Sequence, residues 1–192
     1  MNKQQPGAEA SQQTDSLSRP QGATQPTHGD SEGHFPTPTA HVVLYQPEIP
    51  QNTGNIGRTC VATNAKLWIV RPAGFSLDNK RLSRAGLDYW QHLQLGDADN
   101  WEDLQSQLIA EVAQPRLYYL SRFAKREVWD ADFQLGDVLV FGSESSGLPD
   151  RILDPESANA LRLPTSPKIR SLNLATTVGI CLYEHQRQTR TQ

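Results

Sequence analysis

Short apolar runs alternate with polar, glycine- and proline-marked stretches along the chain from His41 onwards. Runs of four or five apolar residues between turn signals are typical of strands buried in a covered sheet. The pattern predicts strands at residues 41–45, 67–70, 92–95, 116–120, 138–141 and 161–163. Between the strands, apolar residues recur at helical spacing, which predicts helices at residues 54–62, 79–87, 101–112 and 172–187. Asn52 or Thr53 is placed to cap the first helix.

This alternation of strands and helices predicts an α/β fold with a mostly parallel sheet covered on both sides. Residues 138–141 run directly into Gly142-x-Glu144-x-x-Gly147, and the strand at 161–163 is followed by Pro164 and the segment 170–174. Ligands of open α/β sheets bind outside the carboxyl ends of the strands. The two polar loops therefore predict a binding pocket near the C-terminus of the chain.

Residues 1–40 differ in composition from the rest, because Gln, Thr, Ser, Pro and Gly dominate them. Such a segment buries too little apolar surface to offset the entropy cost of ordering it. We expect a disordered tail, with a role as a partner-binding arm as the alternative, followed by one domain at residues 41–192.

Charge, cysteines and missing motifs narrow the function. The net charge of −3 gives no whole-chain argument for nucleic-acid binding, so an RNA partner would need a local basic surface. No apolar run is long enough for a membrane span, and no secretory signal precedes the domain. Cys60 and Cys181 lie in apolar patterns, which favours reduced core residues of a cytoplasmic protein. The histidines lack metal-ligand spacing, so we expect no metal, and dinucleotide, P-loop and acyl-transfer motifs are absent.

A series of motifs then covers residues 41–190 in order. It consists of Tyr45-Gln-Pro-Glu-Ile-Pro-Gln-Asn-Thr-Gly-Asn-Ile-Gly-Arg-Thr-Cys60, Arg71-Pro-Ala-Gly-Phe75, Lys80-Arg-Leu-Ser-Arg-Ala-Gly-Leu-Asp-Tyr89, Phe141-Gly-Ser-Glu-Ser-Ser-Gly-Leu-Pro149 and Arg170-Ser-Leu-Asn-Leu174. The series resembles the SPOUT methyltransferases, and within them the small TrmL-like branch that methylates the ribose of the tRNA wobble nucleotide.

The resemblance implies a Rossmann-like parallel sheet whose C-terminal segment forms a trefoil knot. It also implies a homodimer that binds S-adenosylmethionine in the knotted loops and acts on tRNA. By matched motif positions, the cofactor-binding residues are Leu120, Gly142, Leu163, Ser171 and Leu172. Gly142 would allow the backbone to approach the ligand, and Leu163 would flank the adenine ring. For Leu120 and Leu163, plain core packing is the alternative interpretation.

The same resemblance places the catalytic residues at Asn52, Arg58, Glu144, Ser171 and Asn173. A guanidinium is a poor proton acceptor because its pKa lies above about 12. We therefore expect Arg58 to clamp an RNA phosphate and stabilise the developing 2′-oxyanion. Glu144 is expected to accept backbone N–H bonds and shape its loop, and Asn173 is either a site residue or an ordinary helix cap.

Eight basic residues are candidate RNA phosphate contacts, and RNA binding through them should weaken with salt. They are Lys80, Arg81, Arg84, Arg122, Lys125, Arg126, Lys168 and Arg170. Relatives commonly carry Thr-Arg in place of Ser145-Ser146 and Ser-Asn in place of Ala175-Thr176, which affects the expected substrate more than the reaction.

The resulting prediction is a cytoplasmic tRNA 2′-O-methyltransferase that acts on a cytidine or modified uridine at the wobble position. The alternatives are a 2′-O-methyltransferase for another tRNA or rRNA site and a module that binds S-adenosylmethionine or RNA without catalysis. A dinucleotide oxidoreductase is disfavoured because its glycine fingerprint is missing.

Overall fold

The structure, a computed structural model, describes residues 36–75 and 88–190. The strands in this part are β1 (His41–Tyr45), β2 (Lys66–Val70), β3 (Leu95–Ala98), β4 (Leu117–Leu120), β5 (Arg126–Glu127), β6 (Val138–Phe141) and β7 (Ala160–Arg162). The α-helices are α1 (Pro50–Thr63), α2 (Trp101–Glu111) and α3 (Leu174–Thr189). Short 3-10 helices cover Asp88–His92 and Val128–Asp130. Of the expected tail at residues 1–40, only residues 36–40 are among the described residues. The expected helix at 79–87 lies wholly outside them.

The seven strands form one sheet in the order β3-β2-β1-β6-β4-β7-β5, and every neighbouring pair is parallel. Strand β6 lies between β1 and β4, and β7 lies between β4 and β5. The two latest strands are thus inserted between strands that precede them in the chain. The predicted parallel α/β fold is confirmed, and the trefoil knot stays a prediction.

Helices cover both faces of the sheet, as the alternation predicted. On one face, Val42 and Leu44 of β1 belong to a core that includes Ile56 of α1 and Leu182 of α3. On the other face, alternate residues of the same strand pack with Trp101, Leu104 and Leu108 of α2. Cys60 and Cys181 are buried free thiols in the first core, and burial raises the pKa of both. In the described part of the chain, no helix has the length and apolarity that crossing a membrane requires.

Two predicted boundaries are wrong. The strand expected at residues 92–95 lies at Leu95–Ala98, and residues 88–92 form a 3-10 helix instead. Trp90 and Leu93 are buried in the core beside α1. Strand β3 is only four residues long, and a Cβ on Gly96 would lie 2.2 Å from the Trp68 ring, so this close pairing requires glycine.

Helix α1 begins before the predicted start, and the capping role expected for Asn52 or Thr53 is wrong. The helix starts at Pro50, and Ile49 is its N-cap residue without a side-chain cap bond. Proline suits the first turn of a helix because its missing N–H has no partner to lose there. The helix predicted at residues 54–62 therefore starts four residues too late.

His41 of β1 is a buried histidine whose pKa is lowered. Its side chain is 3% exposed, and the Trp68 indole donates a 3.1 Å hydrogen bond to His41 Nδ1. Burial lowers the pKa of His41 from 6.5 to about 4. The native state therefore binds fewer protons than the unfolded state between these values, and stability present above pH 6.5 is lost as the pH falls toward 4.

We predict that this histidine removes about 2 kcal/mol from the free energy of unfolding between pH 7 and pH 5. Urea unfolding at both pH values should show the loss, and His41→Gln, which keeps an acceptor for Trp68, should lose less. His185, whose pKa burial also lowers, remains in the variant and retains part of the dependence. An unchanged pH dependence in His41→Gln would contradict the assignment.

Candidate functional site

A cavity of about 530 Å³ opens at the carboxyl ends of β4, β6 and β7. Its walls come from the segments that follow these strands and from the segment that leads into α3. Volumes of this size are typical of sites for small molecules and cofactors. The parallel arrangement brings these three strand ends to one edge of the sheet. The cavity therefore lies where the sequence predicted a pocket.

All five residues expected to bind the cofactor line this cavity. They are Leu120, Gly142, Leu163, Ser171 and Leu172. Leu120 is 9% exposed, so it faces the cavity while also packing in the sheet core. Site and core packing are therefore compatible interpretations of this leucine, although the sequence set them against each other.

The structure gives one reason for glycine at position 142. A Cβ on this residue would lie 2.0 Å from the carbonyl carbon of Gly147 and 2.3 Å from the nitrogen of Leu148. The loop folds back on itself here, because Ser143 and Gly147 exchange backbone hydrogen bonds of 3.3 and 3.0 Å. Gly147 has φ +73°, which favours glycine. In this structure, glycine at position 142 allows the loop to close on its own backbone.

Glu144 joins the loop after β6 to the start of α1. Its carboxylate accepts the backbone N–H of Glu48 at 2.8 Å and that of Ile49 at 3.3 Å. It also accepts a 2.9 Å hydrogen bond from the Asn52 amide. Helix α1 has no acidic residue in its first turn, so Glu144 supplies the negative charge that a helix N-terminus favours.

Asn52 extends this network to α3. The Asn52 carbonyl oxygen accepts a 2.9 Å hydrogen bond from the side-chain amide of Asn173. Asn173 is the N-cap of α3, and its own side-chain oxygen accepts the backbone N–H of Ala175 at 2.9 Å. Glu144, Asn52 and Asn173 thus form one hydrogen-bonded chain from the loop after β6 through the first turn of α1 to the start of α3. Asn173 is both a helix cap and a cavity residue, the two roles that the sequence left open.

A second set of hydrogen bonds joins the same two segments, with the acceptor now before α1 and the donors in the loop after β6. These bonds were not predicted from the sequence. The Glu48 carboxylate accepts the Ser145 hydroxyl at 2.6 Å and the Ser145 backbone N–H at 3.2 Å. The carbonyl of Ser145 accepts a 3.3 Å hydrogen bond from Arg170. Glu48 and Glu144 lie 96 residues apart in the sequence, so no local pattern signals this exchange. Only the pairing of β1 with β6 brings the two loops together.

Arg58 lies apart from the residues that line the cavity. Its side chain is exposed on α1, and its guanidinium carbon lies 4.4 Å from the centroid of the Tyr89 ring. The Tyr89 hydroxyl donates a 2.6 Å hydrogen bond to the Gly54 carbonyl, which fixes the ring against the helix. The structure therefore brings four of the five expected catalytic residues to the cavity, namely Asn52, Glu144, Ser171 and Asn173.

The basic residues divide into three groups. Arg122 and Arg170 line the cavity and are exposed, and Lys168 is exposed nearby in sequence. Lys125 pairs with Glu156, and Arg126 donates to the carbonyls of Ala158 and Asp130, so these two are engaged within the protein. Lys80, Arg81 and Arg84 lie outside the described residues. The described residues contain no cluster of three or more histidine, cysteine or acidic side chains that could hold a metal ion.

Comparison with known proteins identifies the family. The model of the SpoU rRNA methylase family matches residues 39–183. The chain belongs to this family. The resemblance to SPOUT methyltransferases identified in the sequence is confirmed.

A tRNA (cytidine(34)-2′-O)-methyltransferase of Methylovorus glucosotrophus is 45% identical over 150 residues, which cover 77% of this chain and 94% of that protein. A solved structure described as giving insight into the 2-OH methylation of C/U34 on tRNA is 40% identical, with a TM-score of 0.72 and coverage of 80% and 97%. The AdoMet-bound rRNA methyltransferase of Sinorhizobium meliloti is 26% identical, with a TM-score of 0.68 and coverage of 80% and 58%.

The cavity fits S-adenosylmethionine on three observations from the described residues. Leu120, Leu163 and Leu172 provide apolar surface for an adenine ring. The Nε of Arg162, a residue that lines the cavity, is a buried donor without a hydrogen-bond partner in the described structure. Arg170 supplies positive charge that can meet the cofactor's carboxylate. Thus both the apolar and the charged parts of this cofactor have matching groups here.

The hydrogen-bonded chain of Glu144, Asn52 and Asn173 should act as one unit. We predict that Asn52→Ala lowers the free energy of unfolding by about 1–3 kcal/mol, because it leaves the half-buried Glu144 carboxylate and the Asn173 amide without this partner. Asn173→Ala should cost about 0.5–2 kcal/mol through the lost cap. The double variant should cost less than the sum of the two by at least about 0.5 kcal/mol.

Urea unfolding of the four proteins measures this coupling. Asn55→Ala is the matched control, since Asn55 is an exposed asparagine on the same helix and should change stability by less than about 0.5 kcal/mol. Strictly additive losses would mean that the two asparagines stabilise the loops independently.

Proposed function

We propose that this protein is an S-adenosylmethionine-dependent tRNA 2′-O-methyltransferase that methylates the ribose of nucleotide 34, a cytidine or modified uridine. The cavity that gathers Leu120, Gly142, Leu163, Ser171 and Leu172 is the observation that carries the proposal. The relatives named for cytidine 34 and for C/U34 support the choice of substrate. The protein would act on tRNA in the cytoplasm, a location that its two buried free thiols support.

Bound S-adenosylmethionine supplies an electrophilic methyl group. The protein's own contribution is to hold that group and the ribose in position, and such positioning can account for much of the acceleration. The leucines and the loop backbone bind the cofactor, while the network of Glu144, Asn52 and Asn173 fixes the loops. Because the Glu144 carboxylate already accepts three hydrogen bonds, it orients the loops and does not take the ribose proton.

The position of Arg58 supports a homodimer. This residue lies on the exposed face of α1 and does not line the cavity of its own chain. A second copy can bring its α1 to the cavity, so that Arg58 of the partner subunit binds the RNA phosphate and stabilises the 2′-oxyanion. Each cavity would then bind its cofactor with one subunit and complete its RNA site with the other.

The proposed function is tested by mapping methylation on tRNA. The purified full chain is incubated with S-adenosylmethionine and tRNA from cells that lack 2′-O-methylation at position 34. We expect nucleoside mass spectrometry of nuclease fragments to show a new 2′-O-methyl group at nucleotide 34. Methylation only at another nucleotide would favour the alternative RNA site, and the absence of any transfer would favour a binding module without catalysis.

Arg58→Lys tests the role of the guanidinium. Lysine keeps the charge but cannot form two parallel N–H bonds to a phosphate. We predict that single-turnover methyl transfer slows by about tenfold or more, while calorimetry gives unchanged cofactor affinity. Arg151→Lys is the matched control, because Arg151 is exposed, pairs with Glu102 and does not line the cavity. Near-normal turnover in Arg58→Lys would rule out the bidentate contact.

Mixed dimers test whether Arg58 acts across subunits. Arg58→Ala and a variant with an obstructed cavity, Leu163→Trp, should each be inactive. If the arginine acts on the partner's cavity, dimers that contain one copy of each variant have one complete site and regain activity. If the mixed dimers are inactive, Arg58 acts on the cavity of its own subunit.

A further inference from the structure

Phe123 is an unusually exposed aromatic residue at the cavity. Its side chain is 65% exposed although it lines the same cavity as Leu120 and Gly142. The guanidinium carbon of Arg122 lies 4.2 Å from the centroid of the Phe123 ring, within the range of a cation–π contact. With Arg122 against the ring and most of its surface still accessible, Phe123 presents a flat apolar surface at the rim of the cavity.

The backbone on both sides of Phe123 is fixed. Before it, the Ser121 N–H donates a 2.9 Å hydrogen bond to the Leu161 carbonyl, which continues the pairing of β4 and β7. The Phe123 N–H donates to Ser121 Oγ at 3.2 Å, and the Ala124 N–H donates to the Ser121 carbonyl at 3.3 Å. Ala124 is 4% exposed and packs in a small core. The turn therefore holds the aromatic ring outward before any partner binds.

We propose that Arg122 and Phe123 form a stacking platform for the base of the nucleotide that is methylated. This inference rests on the proposed function. Proteins that recognise single-stranded RNA loops stack unpaired bases on aromatic rings and on arginine planes. Phe123 offers an aromatic ring and Arg122 offers a guanidinium plane. Arg122 and Arg170 also give the cavity rim a positive charge suited to RNA.

The position of the platform favours the target base over a distant one. The base is bonded directly to the ribose. A ribose whose 2′-hydroxyl reaches the cavity therefore brings its base to the rim of the cavity. Arg122 and Phe123 lie at that rim, directly after Leu120 and Ser121 at the end of β4. Stacking the base there would fix the rotation of the ribose, and a poorly rotated hydroxyl reacts slowly.

A thermodynamic cycle tests the platform. The nucleotide that the wild-type protein methylates is mapped first, and an abasic residue is then placed there in a synthetic anticodon stem-loop RNA. Affinities of wild type and Phe123→Ala for the intact and the abasic RNA are measured with S-adenosylhomocysteine present. We expect Phe123→Ala to weaken binding of the intact RNA by about 5- to 150-fold and to leave binding of the abasic RNA unchanged.

Controls separate stacking from other roles. Phe123→Trp should retain the affinity, because a larger aromatic ring also stacks. Ile109→Ala removes an equally exposed apolar side chain, 66% accessible, that does not line the cavity. This variant should bind the intact and the abasic RNA with wild-type affinity. Calorimetry should give the same S-adenosylhomocysteine affinity for Phe123→Ala and wild type.

Two outcomes would overturn the platform. An equal loss with the intact and abasic RNA would show that Phe123 does not contact the target base, and weakened S-adenosylhomocysteine binding would assign the ring to the cofactor. Both are separable from failure of the proposed function, which would appear earlier as missing methylation at nucleotide 34 by the wild-type protein.

Discussion

The cavity depends on one carboxylate that acts far from its own position in the sequence. Glu144 accepts the N–H of Glu48, 96 residues earlier, and so serves the N-terminus of a helix that lacks a side-chain cap of its own. Hydrogen bonds to a charged group contribute about 1.5–3 kcal/mol each, more than neutral ones. A neutral or shorter side chain at position 144 would leave helix donors and the Asn52 amide without this partner.

The sheet order is what makes this contact available. Strand β6 pairs with β1, so the loops that follow the two strands emerge side by side at the same edge. Asn52 then transmits the connection from Glu144 to Asn173 and thereby to the start of α3. The same loops line the cavity, so the network that stabilises the fold also fixes the surface on which a cofactor binds. Stability and binding geometry are therefore coupled at this site.

Local patterns in the sequence were sufficient for part of this structure. Buried strands such as His41–Tyr45 follow from their continuous apolar runs, and Asn173 follows from the preference of asparagine for helix N-caps. Strand β3 was misplaced because the sequence Leu95-Gly-Asp-Ala98 has no strand-like apolar run, and Gly96 depends on close packing against Trp68. The exchange between Glu48 and Ser145 spans 97 residues, and no local spacing encodes it. The cavity residues themselves came from the family resemblance, since periodicity alone marks them as core or loop.

The separation of Arg58 from the cavity has a consequence for how the site can work. One described chain contains the surface that fits a cofactor, yet the arginine expected at the ribose stacks on Tyr89 on the outer side of α1. Asn52 and Arg58 are six positions apart on one helix, which sets their side chains about 120° apart around the helix axis, so they lie on different faces. Helix α1 therefore has two roles on two faces: Asn52 holds the chain's own loops together, and Arg58 is directed outward. A second subunit that uses this outward face would complete the site without disturbing the network beneath it.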